Sequence, residues 1–340
     1  MNAQTPNTPG HLMAREAREC FDVFSRASVQ TVSLASSGLD LSKLRAIYTI
    51  ARGSSDAAAN ILSYELMRET GLPVTSLPPS VFSLGNGVKL SDAAMLVISQ
   101  SGASTDLVAS AEAGKQQGAA VLSITNKPGS AVEAASDLNV PIDAGPELAV
   151  PATKSVVGSI AAGAALIGAL SPAYGARAHA SAHVVAGLSG IDHPDGAKLR
   201  AALLRSQHVY VIGRDTGFGA AHEIALKLKE CCALHAEAYS ASEVLHGPLQ
   251  LVTRPLTILM LDTEQDLVQD SLDTAEKRFA QAGGAVIRVR PSDIGAKDLT
   301  PAAAAAVLLG MLYPVILQTA LALGHNPDAP ETLAKETLTT

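Results

Sequence analysis

Short apolar runs alternate with amphipathic stretches along the first half of the chain. Ala46–Ala51, Ala94–Ile98, Ala120–Thr125 and Leu138–Ile142 are runs of small, branched and apolar residues that predict buried strands, with a shorter strand near Val74. Helical patterning covers 57–69 and 106–117. Ala, Leu, Phe and Val scattered among charges predict a helical arm over 11–37 that packs on the body. Strands and helices alternating at this spacing predict βαβ units and a parallel sheet.

After Gly145 the pattern changes. A long small-residue helix follows Thr153-Lys154, two more helical stretches cover 177–188 and 194–205, and the strand–helix rhythm then restarts. Val209–Gly213, Leu256–Leu261 and Ala285–Val289 predict strands, while 218–234 and 264–282 predict helices. A shift of 162 residues pairs Ile47 with Val209, Tyr48 with Tyr210, Ile50 with Ile212, Arg52 with Arg214 and Ala58 with Ala220. The reading is an N-terminal arm at 1–34 and tandem α/β domains at 35–190 and 191–340.

Composition sharpens this. Of 340 residues, 47% are hydrophobic but only 3% aromatic, with no Trp, so the cores must be built from Ala, Val, Leu and Ile. A net charge of -7 argues against nucleic acid as a partner. Cys20, Cys231 and Cys232 form a sparse, odd set without zinc-knuckle or redox spacing, read as small buried residues in a reducing compartment. Met1–Gly10 shows no signal-peptide pattern. Ala302–Gly324 has no charged residue and reaches the ~20-residue length of a membrane span. It is Ala-rich, however, carries Pro314 and Gln318, and lacks a basic flank, so it reads as a buried helix. The expectation is a cytoplasmic protein with no membrane contact.

One turn carries candidate chemistry. The strand at Ala94–Ile98 runs into Ser99-Gln100-Ser101-Gly102-Ala103-Ser104-Thr105, and Asp106 opens a helix. Three serines and a threonine exceed what one helix cap requires. Free backbone N–H groups at the positive end of a helix bind phosphate without a basic side chain. The repeat lays Leu261-Asp262-Thr263 and Glu264 over this turn. An acidic turn repels phosphate, so only the first domain is expected to keep the anion site. Gly213–Gly219 lacks the Gly-x-Gly-x-x-Gly order of a dinucleotide fold. His222-Glu223 lacks the closing His of a zincin, since Leu226 stands there. Glu223, Lys227 and Glu230 fall on one helical stripe, which alone reads as a solvated salt-bridge face. The ionisable cluster from His235 to His246 that follows is costly unless it faces a polar cavity, and beside Glu230 and Lys227 the His246 imidazole becomes a proton carrier.

Ser99–Gly102, Val150–Lys154, Ala225–Glu230, His235–Tyr239, His246–Pro248 and Leu333–Lys335 together resemble the SIS (sugar isomerase) family, in order from about Ile47 to Lys335. Within it, the chain is similar to the isomerase half of the glutamine–fructose-6-phosphate aminotransferases. The resemblance implies two tandem SIS domains, each a mainly parallel sheet flanked by helices in a flavodoxin-like three-layer sandwich. It implies that Gly53, Ser54, Ser55, Ser99, Gln100, Ser101 and Ser104 hold a sugar phosphate, with Val150 and Ala334 lining the sugar. Glu230 matches the base that moves a proton between C1 and C2, and Lys227 stabilises charge on oxygen. His246 matches a ring-opening histidine contributed across a homodimer interface, and Lys335 a tail lysine that forms a Schiff base with the open-chain ketose. Pro151-Ala152 departs from the Ala-Ser usual there, and Arg52 replaces a small or uncharged residue and is expected to border the phosphate.

Some forty residues precede the first strand, too few for the glutaminase domain of those aminotransferases. The expectation is therefore a stand-alone glucosamine-6-phosphate deaminase of the isomerising type, with no cofactor and no metal. The alternatives are a galactosamine-6-phosphate deaminase, a fructosamine-6-phosphate deglycase, ammonia-dependent glucosamine-6-phosphate synthesis, or a non-catalytic sugar-phosphate-binding regulator.

Overall fold

A computed structural model describes residues 8–37 and 42–335. The first domain holds strands β1 (Ala46–Ile50), β2 (Val74–Ser76), β3 (Ala93–Ser99), β4 (Ala120–Thr125) and β5 (Leu138–Pro141). They form one parallel sheet in the order β2-β1-β3-β4-β5. The second holds β6 (His208–Gly213), β7 (His235–Ser240), β8 (Thr257–Leu261) and β9 (Ala285–Val289), parallel in the order β7-β6-β8-β9. The four strands of the second order correspond to β2, β1, β3 and β4 of the first, as the internal repeat requires, and β5 has no counterpart. All seven residues of β3 are buried, which is why it reads as a continuous apolar run.

The helices are α1 (His11–Arg18), α2 (Cys20–Ala27), α3 (Gly53–Thr70), α4 (Ser80–Ser83), α5 (Thr105–Gln116) and α6 (Ala131–Ala135) in the first half. They continue with α7 (Lys154–Leu170), α8 (Pro172–Ala186), α9 (Gly196–Leu204), α10 (Thr216–Cys232), α11 (Asp266–Gln281) and α12 (Pro301–Ala322). Two expectations need correction. The arm over 11–37 is two short helices parted at Glu19, and its helix ends at Ala27. The segment His235–Ser240, read as a polar cluster facing a cavity, is instead the edge strand β7, with His235 and Glu237 exposed. An edge position tolerates such polar side chains, and its alternation is weak.

The domains meet through α3 and α10. Gly219 allows that approach: a Cβ there would stand 2.8 Å from the backbone nitrogen of Ile61. The apolar helix α12 has a mean hydropathy of 1.9, but 83% of its most apolar window is buried inside the protein. It is a core helix, packed on α10 and α7, and so unites the two halves around one apolar cluster. Its amino end is capped by Thr300 and by the buried carboxylate of Glu65, which accepts the Ala302 amide hydrogen at 2.7 Å.

Candidate active site

The first sheet reverses direction of travel between β1 and β3, the switch point where open α/β sheets leave a crevice at their carboxyl ends. A cavity of about 290 Å³ lies there. The end of β1 supplies Arg52, Gly53, Ser54 and Ser55 at the start of α3, and the end of β3 supplies Ser99, Gln100, Ser101 and Ser104 ahead of α5. From the second domain, α10 contributes Lys227 and Glu230; Val150 and Ala152 come from the turn before α7, and Ala334 and Lys335 from the C-terminal segment. The residues given a site role by the resemblance all line the cavity except His246, and Glu223 of the helical stripe lies outside the lining as well.

Local chemistry explains the shape of the hydroxyl-rich turn. Ser99 Oγ accepts the Gly102 amide hydrogen at 3.0 Å, and Ser101 Oγ accepts that of Ala103 at 3.3 Å. Gly102 has φ +60°, and a Cβ there would collide with Ser130 Oγ at 2.2 Å, so only glycine closes this turn. The Ser104 side chain makes no cap bond to α5, and the residue lines the cavity. Arg52 borders this rim and ion-pairs through Nε with the buried carboxylate of Asp106.

Opposite stands the α10 stripe, and it is not a solvated face. Glu223 and Lys227 are fully buried, and Glu230 is a quarter exposed at the cavity. Lys227 donates to Glu230 and lies 3.7 Å from Glu223 Oε1, which also accepts the Tyr313 hydroxyl hydrogen at 3.1 Å. Burial pushes the Glu223 carboxyl up to about 7, with the Lys227 ammonium acting the other way. Burial alone would lower Lys227, but Glu223 and Glu230 more than offset it, so the ammonium is held above the ordinary lysine range. Glu223 Oε2 has no hydrogen-bond partner.

Lys335 Nζ donates to the Ala149 carbonyl at 2.7 Å and stands 3.4 Å from Glu147 Oε2. Glu147 was not singled out by sequence reasoning. Its carboxylate also accepts from the amides of Thr153 and Ser155, both at 3.0 Å, and from Ser155 Oγ at 2.6 Å. It thereby caps α7 and faces the tail lysine; only its place three residues before Val150 marks it in the sequence. His246 lies exposed at the end of a 3-10 turn, Glu243–His246, past β7. Within one chain it is not brought beside Glu230 and Lys227.

The matching turn of the second domain is closed by its own side chains. The Asp262 carboxylate accepts from the Glu264 amide at 2.8 Å, from Gln269 Nε2 at 2.9 Å and from Arg288 Nε at 2.9 Å. Where the first turn has Ser99, Gln100 and Ser101, this one holds a buried carboxylate, which repels an anion. Among the described residues, no group of three His, Cys, Asp or Glu is arranged to hold a metal.

A family model described as the SIS domain matches residues 40–169 and 202–293, one segment in each sheet domain. The chain belongs to the SIS domain family. An isomerizing glutamine–fructose-6-phosphate aminotransferase from Brucella abortus is 28% identical over 96% of this chain and 58% of its own length. The SIS chain thus spans a little over half the length of the curated relatives it matches. A solved structure from Silicibacter pomeroyi DSS-3, described as a phosphosugar isomerase, superposes with a TM-score of 0.82 at 30% identity, covering 93% of this chain and 99% of that one. The C-terminal domain of the aminotransferase from Francisella tularensis superposes with a TM-score of 0.83 at 23% identity, covering 96% and 100%, and shares the fold.

Proposed function

We propose that this SIS protein is a cytoplasmic glucosamine-6-phosphate deaminase of the isomerising type, working as a homodimer. The observation that carries the reading is the shared cavity: a turn of neutral hydroxyls and amides faces Glu230, Lys227 and Lys335. The phosphate sits in the turn from Ser99 to Ser104 and at Ser54 and Ser55, where helix amino ends supply donors. Anchoring that end makes proton abstraction at C2 an oriented, effectively intramolecular event.

His246, donated by the partner subunit, assists opening of the sugar ring. Glu230 takes the proton from C2 of the open-chain amino aldehyde and returns it to C1, while Lys227 stabilises negative charge developing on oxygen. The resulting C2 imine is hydrolysed: one water is consumed, and fructose 6-phosphate and ammonia leave. Lys335 is the amine that can hold the ketose as an imine during that exchange. All three cysteines are buried, and burial pushes their thiols up, so none serves as a glutamine-attacking nucleophile.

The test is ammonia release from a panel of glucosamine 6-phosphate, galactosamine 6-phosphate and fructosamine 6-phosphate. Equal amounts of ammonia and fructose 6-phosphate from the first are expected. Release from another member only would reassign the substrate, and binding without release would favour the regulator.

A further inference from the structure

The N-terminal arm touches none of the cavity, yet two of its hydrogen-bonded contacts meet on the segment that brings Lys335 to it. Asp328 is 8% exposed, and its carboxylate takes the first free amides of α1: Leu12 N–H at 3.0 Å on Oδ2 and Met13 N–H at 2.8 Å on Oδ1. Such amides have no partner within their own helix, and a carboxylate there also meets the positive end of the helix dipole. The Asp328 carbonyl accepts the Val150 amide hydrogen at 3.2 Å. Beside it, Asn326 Oδ1 accepts from Gly10 N at 3.1 Å.

The other end of the same short helix completes a ring. Glu16, fully buried, accepts from the amides of Leu148 at 2.6 Å and Ala149 at 3.2 Å. Ala149 offers its carbonyl to Lys335 Nζ at 2.7 Å. The path therefore runs from Asp328 through α1 to Glu16, on to the 147–150 turn, across to Lys335, and back along the C-terminal segment. We infer that Asp328 is a positioning residue, which uses the N-terminal arm as a clasp to hold Lys335 and the Val150 turn at the cavity. The inference rests on the proposed role of Lys335 for its catalytic consequence, but the clasp itself stands on the hydrogen bonds.

The consequence is a split in kinetics. Phosphate anchoring lies at the ends of β1 and β3, which the clasp does not touch, whereas the tail lysine depends on it. A misplacement of about 1 Å at a reacting group costs on the order of 100-fold in rate. Asp328→Ala lowers kcat by roughly 10- to 100-fold with KM changed less than about threefold. Asp328→Asn retains one acceptor oxygen and recovers part of the loss. A smaller folded fraction would also lower apparent kcat at constant KM, so rates are taken per folded chain as read by circular dichroism, and a kcat equal to the parent's on that basis would overturn the positioning.

Two measurements on the full chain separate this inference from the functional reading. Hydrogen exchange of Asp328→Ala, followed by mass spectrometry, is expected to quicken at 11–14, at 147–151 and at 326–335 together, with β3 and β4 unchanged. Faster exchange in the arm alone would overturn the clasp, whatever the enzyme turns over. Borohydride trapping with fructose 6-phosphate is expected to label Lys335 in the parent chain and several-fold less in Asp328→Ala. No label in the parent would remove the imine role of Lys335 and leave the exchange result to decide the clasp; equal labelling in both would overturn the positioning.

Discussion

Tyr313 Oη donates to Glu223 Oε1 across 3.1 Å, joining the core helix α12 to the helix that carries Lys227 and Glu230. Both side chains are fully buried, so this bond is made in a low-dielectric interior where a lost partner is costly. Tyr313→Phe leaves the ring packing intact and removes only the donor. A hydrogen bond to a charged or partly charged buried group is worth about 1.5–3 kcal/mol. The variant is expected to lose stability in that range by urea unfolding, with the KM for sugar phosphate unchanged. An unfolding midpoint equal to the parent's would show that Glu223 is held by Lys227 alone.

Glu230 and His246 test the division of the site between subunits. Glu230→Gln preserves shape while removing the proposed base, so kcat is expected to fall by about 10²–10⁴-fold with sugar-phosphate affinity nearly unchanged. His246→Ala is expected to be slow as well. If the imidazole enters from the partner, a mixed dimer of Glu230→Gln and His246→Ala chains holds one intact site. Refolding the two inactive variants together then restores up to half of the parent activity per mixed dimer. No recovery, with mixed dimers shown by mass, would mean that each chain uses its own His246, and full activity of His246→Ala alone would place the residue outside the reaction.

The hydroxyl turn makes a different prediction for each serine. Ser101→Ala removes a hydroxyl at the cavity, and KM for the sugar phosphate is expected to rise several-fold with kcat nearly unchanged. Ser99 is 4% exposed, and its Oγ also accepts the Gly102 amide hydrogen. Ser99→Ala therefore costs stability as well, about 0.5–1.5 kcal/mol for a lost internal hydrogen bond. Inorganic phosphate should raise the melting temperature of the parent more than that of either variant. Equal shifts in all three would move the phosphate elsewhere.

Much of this was legible in sequence, for physical reasons that differ by element. The strands β1, β3, β4, β6 and β8 are buried on both faces, so each leaves a run of apolar residues whatever surrounds it. The serines that line the cavity stand out in the sequence because small hydroxyl residues follow one another where β3 gives way to α5. The state of Glu223 and Lys227 was not. A stripe of charges at helical spacing looks the same whether it faces water or a partner helix, and here the partner is α12, some ninety residues away. β7 was missed because an edge strand needs no apolar alternation. Glu147 and Asp328 were missed because their partners are backbone amides brought close only by the fold.

Glu65 offers a test of the fold that does not depend on the reaction. It lies on α3, almost fully buried, and accepts the Ala302 amide hydrogen at the start of α12. Burial pushes its carboxyl from 4.5 up to about 7, against the opposing pull of the Ala302 amide and Arg68. The folded chain therefore binds this proton more tightly than the unfolded chain does. Its contribution to stability is complete below about pH 4.5 and is lost as pH rises through about 7. At about 1.4 kcal/mol per pH unit of displacement, the difference is on the order of 3 kcal/mol. Glu65→Gln keeps an oxygen to accept the Ala302 amide hydrogen and removes the titration. The variant is expected to match the parent near pH 5 and to exceed it by roughly 1–3 kcal/mol near pH 8, read from urea midpoints at each pH. A parent and variant that lose stability in parallel across this window would mean that Glu65 is ionised throughout it, with its charge held by the end of α12.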